Sequence, residues 1–380
     1  MAIIEPYMAV GLVTTVWGAR TRADIARNIE HIHGVMRAAA WLSSLDYPVR
    51  YVAIPEGALQ GFTDEVFDSD HAQFARESAI EIPGPETEML GEIAREFDVY
   101  LVAQAKATDP DFEGVFFNNA FILDPRGELI LKHYKSSPLF PVEHSVCPHD
   151  VLDRWIELHG RSLQSFFPVA DTPIGRLGAM LANEGSYPEN ARALAMNGAE
   201  VIYRPSYPHP ATGNEFFEIQ SRARALDNNV YVVAPNTGTY FLRPDSPWPV
   251  DTFGGRNFIF DYRGRVVGKH EYGGGSSYMA GVIDIEALRL HRARSQWTNW
   301  MKDLRTELYQ MVYEEPIYPA NLYADRAPYD HETYAREVNR PQVKAMHDRG
   351  IWVPPAHPPA HPPAHPPAAR PRSDGPAGDA

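Results

Sequence analysis

Three pairs of short apolar runs, each closed by a tight turn, restrict what this chain can fold into more than any other feature. The first pair, 120–123 and 129–133, turns at Asp124-Pro125-Arg126-Gly127. The second, 167–169 and 177–181, turns at Thr172-Pro173-Ile174-Gly175, and the third, 257–260 and 266–270, at Asp261-Tyr262-Arg263-Gly264. Proline and glycine supply the backbone angles that such turns require, so each pair reads as a hairpin. Between the hairpins lie two helix–strand units, 189–196 with 201–203 and 215–226 with 230–234. Asn197-Gly198 provides a stop for the first of these helices. Upstream, 7–16 predicts a strand, and 21–45 carries Ile25, Ile29, Ile32 and Met36 at helical spacing. The run 50–54 predicts a buried strand ended by Pro55, 86–97 a helix started by Pro85, and 99–103 another strand. Hairpins mixed with helix–strand units fit an α/β fold of two packed sheets with helices outside.

The same alternation fails beyond about residue 289. Trp297, Trp300, Leu304, Leu308 and Met311 keep helical spacing, but 316–350 mixes aromatics and charges with little period. That segment reads as an arm packed on the core or on a partner subunit. Residues 354–368 repeat Pro-Pro-Ala-His, an extended and disordered composition. At three residues per turn a four-residue repeat spirals His357, His361 and His365 around the axis, so no metal site is expected there.

Charge and cysteine content exclude several classes. Lys plus Arg total 35 against 49 Asp plus Glu, a net charge of −14 with no basic cluster, so no nucleic-acid partner is expected. No apolar run approaches the roughly 20 residues of a membrane helix. The first residues lack a secretory pattern, and the single cysteine, Cys147, rules out an internal disulfide framework or a multi-thiolate metal site. The expectation is a cytoplasmic protein without metal or cofactor.

Chemistry-bearing residues cluster where strands end. The run 177–181 leads into Ala182-Asn183-Glu184-Gly185-Ser186-Tyr187-Pro188-Glu189. Earlier come Ile54-Pro55-Glu56-Gly57, Lys132-His133-Tyr134-Lys135, and Pro141-Val142-Glu143 eight residues beyond that lysine. A strand-end carboxylate, a lysine and a second carboxylate shift one another's pKa when gathered in a partly dry pocket. In this order and spacing, over roughly residues 7–285, the chain resembles the nitrilase superfamily of carbon–nitrogen hydrolases, aliphatic amidases in particular.

That resemblance implies an αββα sandwich, with 7–285 as the hydrolase domain, 286–352 as a C-terminal arm and 353–380 as a disordered tail. It implies Glu56 as general base, Lys135 as oxyanion partner and Glu143 as auxiliary carboxylate, with Ala182 at the nucleophile position where the family has cysteine. Glu184 and Tyr187 are expected to line the pocket. Cys147, Ser186 and Asn183 offer no replacement nucleophile, and Asn236 ends a later strand that often faces the same pocket. Phe62, Phe117, Tyr187 and Trp248 are candidates for an aromatic wall. Three functions fit. One is a hydrolase of amides, nitriles or carbamoyl compounds whose covalent catalysis is lost through Ala182, by engineering or natural loss. Another is a cysteine-independent acid/base enzyme using Glu56, Lys135 and Glu143; the third is a ligand-binding or scaffold pseudoenzyme. The partners expected are a small molecule and further copies of the chain.

Overall fold

The computed structural model describes residues 3–139, 142–206, 215–249, 251–252 and 255–357. In chain order the principal strands are β1 (Tyr7–Val13), β2 (Val49–Ala53), β3 (Tyr100–Asp109), β4 (Phe112–Leu123), β5 (Leu129–Tyr134), β6 (Val169–Thr172), β7 (Gly175–Ala179), β8 (Val201–Tyr203), β9 (Tyr231–Ala234), β10 (Asn257–Phe260), β11 (Val266–His270) and β12 (Ser277–Ile283). The longer crossover helices are α1 (Ile25–Ser43), α2 (Pro85–Phe97), α3 (Pro188–Met196) and α4 (Phe216–Asn228). Among the described residues no helix is long and apolar enough to cross a membrane.

Two mixed sheets result, ordered β12-β1-β2-β3-β4-β5 and β11-β10-β9-β8-β7-β6. The helix-connected strands pair in parallel, as in Val52↔Leu101 and Val232↔Ile202, and the turn-closed ones antiparallel, as in Val102↔Ile122. Side chains alternate between two buried faces. Ala9, Tyr51, Ala53 and Val102 meet Leu177, Ala179, Tyr203 and Val233 between the sheets. Val10, Leu12, Val52 and Leu101 turn the other way, onto Ile25, Ile29 and Ile32 of α1 and Leu90 and Ile93 of α2. The outer face of the second sheet packs on Ala191 and Leu194 of α3 and Phe217 and Ala225 of α4. Burial on both faces is why these strands read as near-continuous apolar runs. The architecture is the αββα sandwich that the strand order and the resemblance imply.

Several elements differ from expectation. The first strand ends at Val13, and Val16–Trp17 joins a small sheet with Thr239–Phe241 and Asp251–Thr252. The β3–β4 hairpin runs well past the predicted apolar segments. Its extra length carries Gln104, Lys106, Asn118 and Asn119, polar side chains that are nonetheless buried and bonded. Strand β12 was not foreseen. It pairs with β1 (Ala9↔Gly281), and a Cβ on Gly281 would stand 2.9 Å from the Val267 carbonyl, so β11 and β12 approach through bare backbone. The helix Ile285–Arg294 then sinks Ile285 and Leu288 into the intersheet core.

The spacing from Trp297 to Met311 does not mark a core-facing helix. A 3-10 turn at Trp300–Asp303 and a helix at Thr306–Gln310 interrupt it, and Trp297, Leu308 and Met311 face outward. Further on, Tyr323 packs with Phe112, Phe117 and Trp155, and Tyr334 and Val338 are buried too, so this part of the arm lies on its own chain. His361 and His365 of the Pro-Pro-Ala-His repeat lie outside the described residues.

Candidate active site

Both sheets end their central strands at one seam. Pro55 closes the run from β2 and Glu56 follows in a turn where Gly57 takes φ +74° and a Cβ would lie 2.3 Å from the Phe62 ring. Lys135 follows β5, Glu143 lies in the loop beyond it, and Ala182 comes three residues after β7. Two hydroxyls, one in the second sheet and one just beyond the end of β9, hold the Glu56 segment. Thr237 Oγ1 donates to the Glu56 carbonyl at 2.5 Å, and the Tyr203 hydroxyl donates to the Ile54 carbonyl.

Within this seam Lys135 Nζ lies 3.1 Å from Glu56 Oε1 and 2.7 Å from Glu143 Oε2, and all three side chains are buried. Asn118 Nδ2 reaches both carboxylates, at 3.3 Å and 3.0 Å. Gln104 holds Asn118 from behind (2.7 Å) and accepts the Gly57 N–H (2.8 Å). The Leu139 N–H donates to Glu143 Oε2 at 2.6 Å. Each carboxylate thereby meets Lys135 and Asn118, the kind of pairing buried charge requires.

One lysine between two carboxylates cannot serve both equally. Burial pushes the Glu56 carboxyl up; Lys135 works against this, while the neighbouring Glu143 adds to it. Glu143 meets the same burial, but Lys135, the Leu139 N–H and Asn118 outweigh it and hold its carboxyl below the usual range. Lys135 stays charged, because the two carboxylates overcome its desolvation. The pair therefore divides into a firm anion, Glu143, and a carboxyl that exchanges protons more readily, Glu56.

These groups line a chamber of about 300 Å³ with Phe62, Leu139, Ala182, Asn183, Ser186, Arg204, Phe216 and Phe217. Ala182 holds φ +39°, a left-handed conformation that costs an ordinary residue about 1–2 kcal/mol. Its N–H donates to the Pro205 carbonyl at 2.9 Å, and its carbonyl accepts from Arg204 Nη2 at 3.2 Å. Arg204 is buried and bonded to Phe217 O, Ser221 Oγ and Gln220 Oε1. Burial and the nearby Arg224 lower its pKa to about 9.

Glu184 and Tyr187 do not join this chamber. The Glu184 carboxylate is wholly buried beneath the elbow that residues 182–187 form between β7 and α3. It meets His133 Nε2 at 2.9 Å and accepts from Ser136 N at 2.7 Å, Ser136 Oγ at 2.6 Å and Leu181 N at 2.5 Å. Tyr187 is exposed and borders a second cavity, of about 670 Å³, with Cys147, His149, Tyr318 and Tyr334. Of the aromatic-wall candidates Phe62 lines the chamber. Phe117 packs in the Trp155 cluster, and Trp248 points to solvent. Asn236 is buried against the carbonyls of Gly255 and Arg256. Cys147 is buried, and desolvation pushes its thiol well above the usual value, which keeps it from being a thiolate.

Sequence reasoning missed Gln104, Asn118 and Arg204. For Gln104 the available signal was a polar residue directly continuing an apolar strand, since such a side chain must find a buried partner.

The chain is similar to known proteins in sequence and in fold. The family described as carbon-nitrogen hydrolase matches residues 12–278. A formamidase of Bacillus cereus is 29% identical over 239 residues, 62% of this chain and 64% of that protein, so the match spans just under two thirds of the relative's length. Saccharomyces cerevisiae Nit3, of branch 10 of the nitrilase superfamily, superposes with a TM-score of 0.59 at 22% identity, covering 78% of this chain and 96% of its own. A carbon-nitrogen hydrolase of Helicobacter pylori gives 0.62 at 19% identity, covering 82% and 99%. At these identities the two structures speak for the fold.

Proposed function

Because the chain belongs to the carbon–nitrogen hydrolase family, we propose that its 300 Å³ chamber takes up a small amide, or a nitrile or carbamoyl compound of similar size, and that it does so without covalent attack. One observation carries this reading: Ala182, which offers no nucleophilic atom, lines the same chamber as Glu56, Lys135 and Glu143. In it, Lys135 faces the substrate oxygen, Glu143 holds Lys135 charged and in place, and Glu56 exchanges protons. The formamidase relatives and the small volume both favour short amides. We assign this chemistry to residues 7–285.

The test is to assay formamide, acetamide, small nitriles and carbamoyl compounds with the chain as it stands and with Ala182→Cys. The restored thiol should raise kcat/KM by at least ~10³-fold, given what removal of a nucleophile costs enzymes of this kind. An Ala182→Cys variant inert on every compound would overturn the reading.

The raised Glu56 carboxyl favours a second reading, in which the unaltered chain performs acid/base chemistry on water or substrate. Turnover by the unaltered chain that Glu56→Gln abolishes would establish it.

We further propose assembly with copies of the same chain. Trp297, Leu308, Met311 and Val312 present apolar surface on the arm, and sedimentation at several concentrations would test this.

A further inference from the structure

Away from the chamber, three side chains of metal-ligating type converge from distant parts of the sequence. Asp68 caps the short helix Thr63–Phe67, His144 directly follows Glu143, and His331 opens the arm helix His331–Tyr334. One ligand atom from each lies within 4.8 Å of the others. His144 Nε2 stands 3.0 Å from Asp68 Oδ1 and His331 Nε2 3.7 Å from it, with the two imidazoles perpendicular at 4.6 Å between centroids. Ligands about 2.0–2.1 Å from a tetrahedral ion are about 3.3 Å apart, and these spacings bracket that edge.

The tautomer of His144 makes the arrangement informative. Its Nδ1 faces the Ser69 carbonyl at 3.2 Å, and a carbonyl only accepts, so Nδ1 carries the proton. Nε2 then presents a lone pair toward the Asp68 carboxylate, and it is buried without a hydrogen-bond partner. Two acceptors facing each other at 3.0 Å call for a cation between them. Nearby, Lys106 is already committed to Asp64 at 2.6 Å and Glu65 at 2.7 Å, so it does not supply that charge.

Outer contacts aim the ligands. The His331 N–H donates to Asp68 Oδ1 at 3.2 Å, and the His144 carbonyl is held by His71 Nδ1 at 2.9 Å. His331 Nε2 also lies 3.0 Å from the Val142 carbonyl. Ligation through that nitrogen moves the ring proton to Nδ1 and releases Val142, with no net change in protons.

We propose that Asp68, His144 and His331 bind a divalent transition-metal ion of the zinc class, with water completing four-coordination, and that the ion clasps the C-terminal arm to the loop bearing Glu143. Two imidazoles and one carboxylate suit zinc or cobalt and are poor for calcium or magnesium.

The test uses the full-length chain carrying His357→Ala, His361→Ala and His365→Ala, so that the tail cannot contribute ligands. Titration with Co(II) should give one equivalent with the visible absorption of four-coordinate cobalt, displaced by Zn(II). Adding His331→Ala, a half-buried arm residue whose loss leaves the core intact, should weaken binding at least ~100-fold. The same change should remove the rise in Tm that Zn(II) gives the parent. Asp68→Asn provides a second variant should one fold poorly, with circular dichroism as the check. Absence of stoichiometric cobalt binding in the tail-substituted parent would overturn the proposal, as would unchanged affinity in both ligand variants.

Discussion

Glu184 illustrates how a carboxylate two residues from the chamber-lining Ala182 can belong to the scaffold. Its oxygens take the Leu181 N–H, the Ser136 N–H and hydroxyl, and His133. Burial works to raise its pKa, but these partners, His133 first, hold it below the usual range. The unfolded chain therefore binds the extra proton as pH drops below about 4.3. The stabilisation is complete above that value and lost as pH falls through the folded one. Glu184→Gln should lower stability by about 2–4 kcal/mol at pH 7 and flatten the acid limb, as read from urea midpoints at pH 7 and pH 3.5. Lys135→Met removes the one cation between two buried carboxylates and should cost about 3–5 kcal/mol, smaller at low pH where Glu56 protonates first. In a turnover-competent variant, the raised Glu56 carboxyl should place the acidic limb of the pH–rate profile above the ordinary carboxylate range.

These residues differ in how well the sequence announces them. Glu56, Lys135, Glu143 and Ala182 each follow a strand or hairpin at a spacing that a linear reading detects. Glu184 was legible as part of the elbow, but its direction was not. Whether a carboxylate faces a chamber or the turn beneath it depends on which donors the fold brings from 133–136 and 181. Arg204 was hidden because nothing in Val201-Ile202-Tyr203-Arg204 distinguishes a buried guanidinium from an exposed one.

Elements with local signals were the readable ones. Turns built on proline or glycine set all three hairpins, a period-3.6 apolar pattern set α1, and Pro85 as a start signal marked α2. The β3–β4 extension was unreadable because its burial comes from partners elsewhere: Asn118 meets carboxylates from two loops, and Lys106 meets Asp64 and Glu65. The arm misled in the opposite sense, since Trp297 and Met311 keep helical spacing without a face to cover within the chain. The turn into α3 gives a test at this scale. A Cβ on Gly185 would lie 1.9 Å from Arg204 Nε, so Gly185→Ala must expel the guanidinium from beneath the Ala182 carbonyl. A loss of about 1–3 kcal/mol is expected, measured as Tm, and Arg204→Met in the same background should recover part of it.

At the scale of the whole molecule, the arm and the hydrolase fold meet along a few backbone bonds. The Asn321 N–H reaches the His149 carbonyl and the Tyr323 N–H the Asp150 carbonyl, each at 3.0 Å, while Tyr318 and Tyr334 share a hydrogen bond of 2.8 Å beside the larger cavity. Cys147 sits beneath this seam and is the sole thiol of the chain. Buried in the wall of that cavity, its thiol should open fully to alkylation when the arm lifts, so its modification rate is a clock for that opening. With iodoacetamide the intact chain should react at least ~100-fold more slowly than a free thiol, and full reactivity would deny that the arm covers it. His331→Ala should make the clock run faster. A protein with nothing else to alkylate at cysteine thus carries its own timer for the motion of its C-terminal arm, readable without any added label.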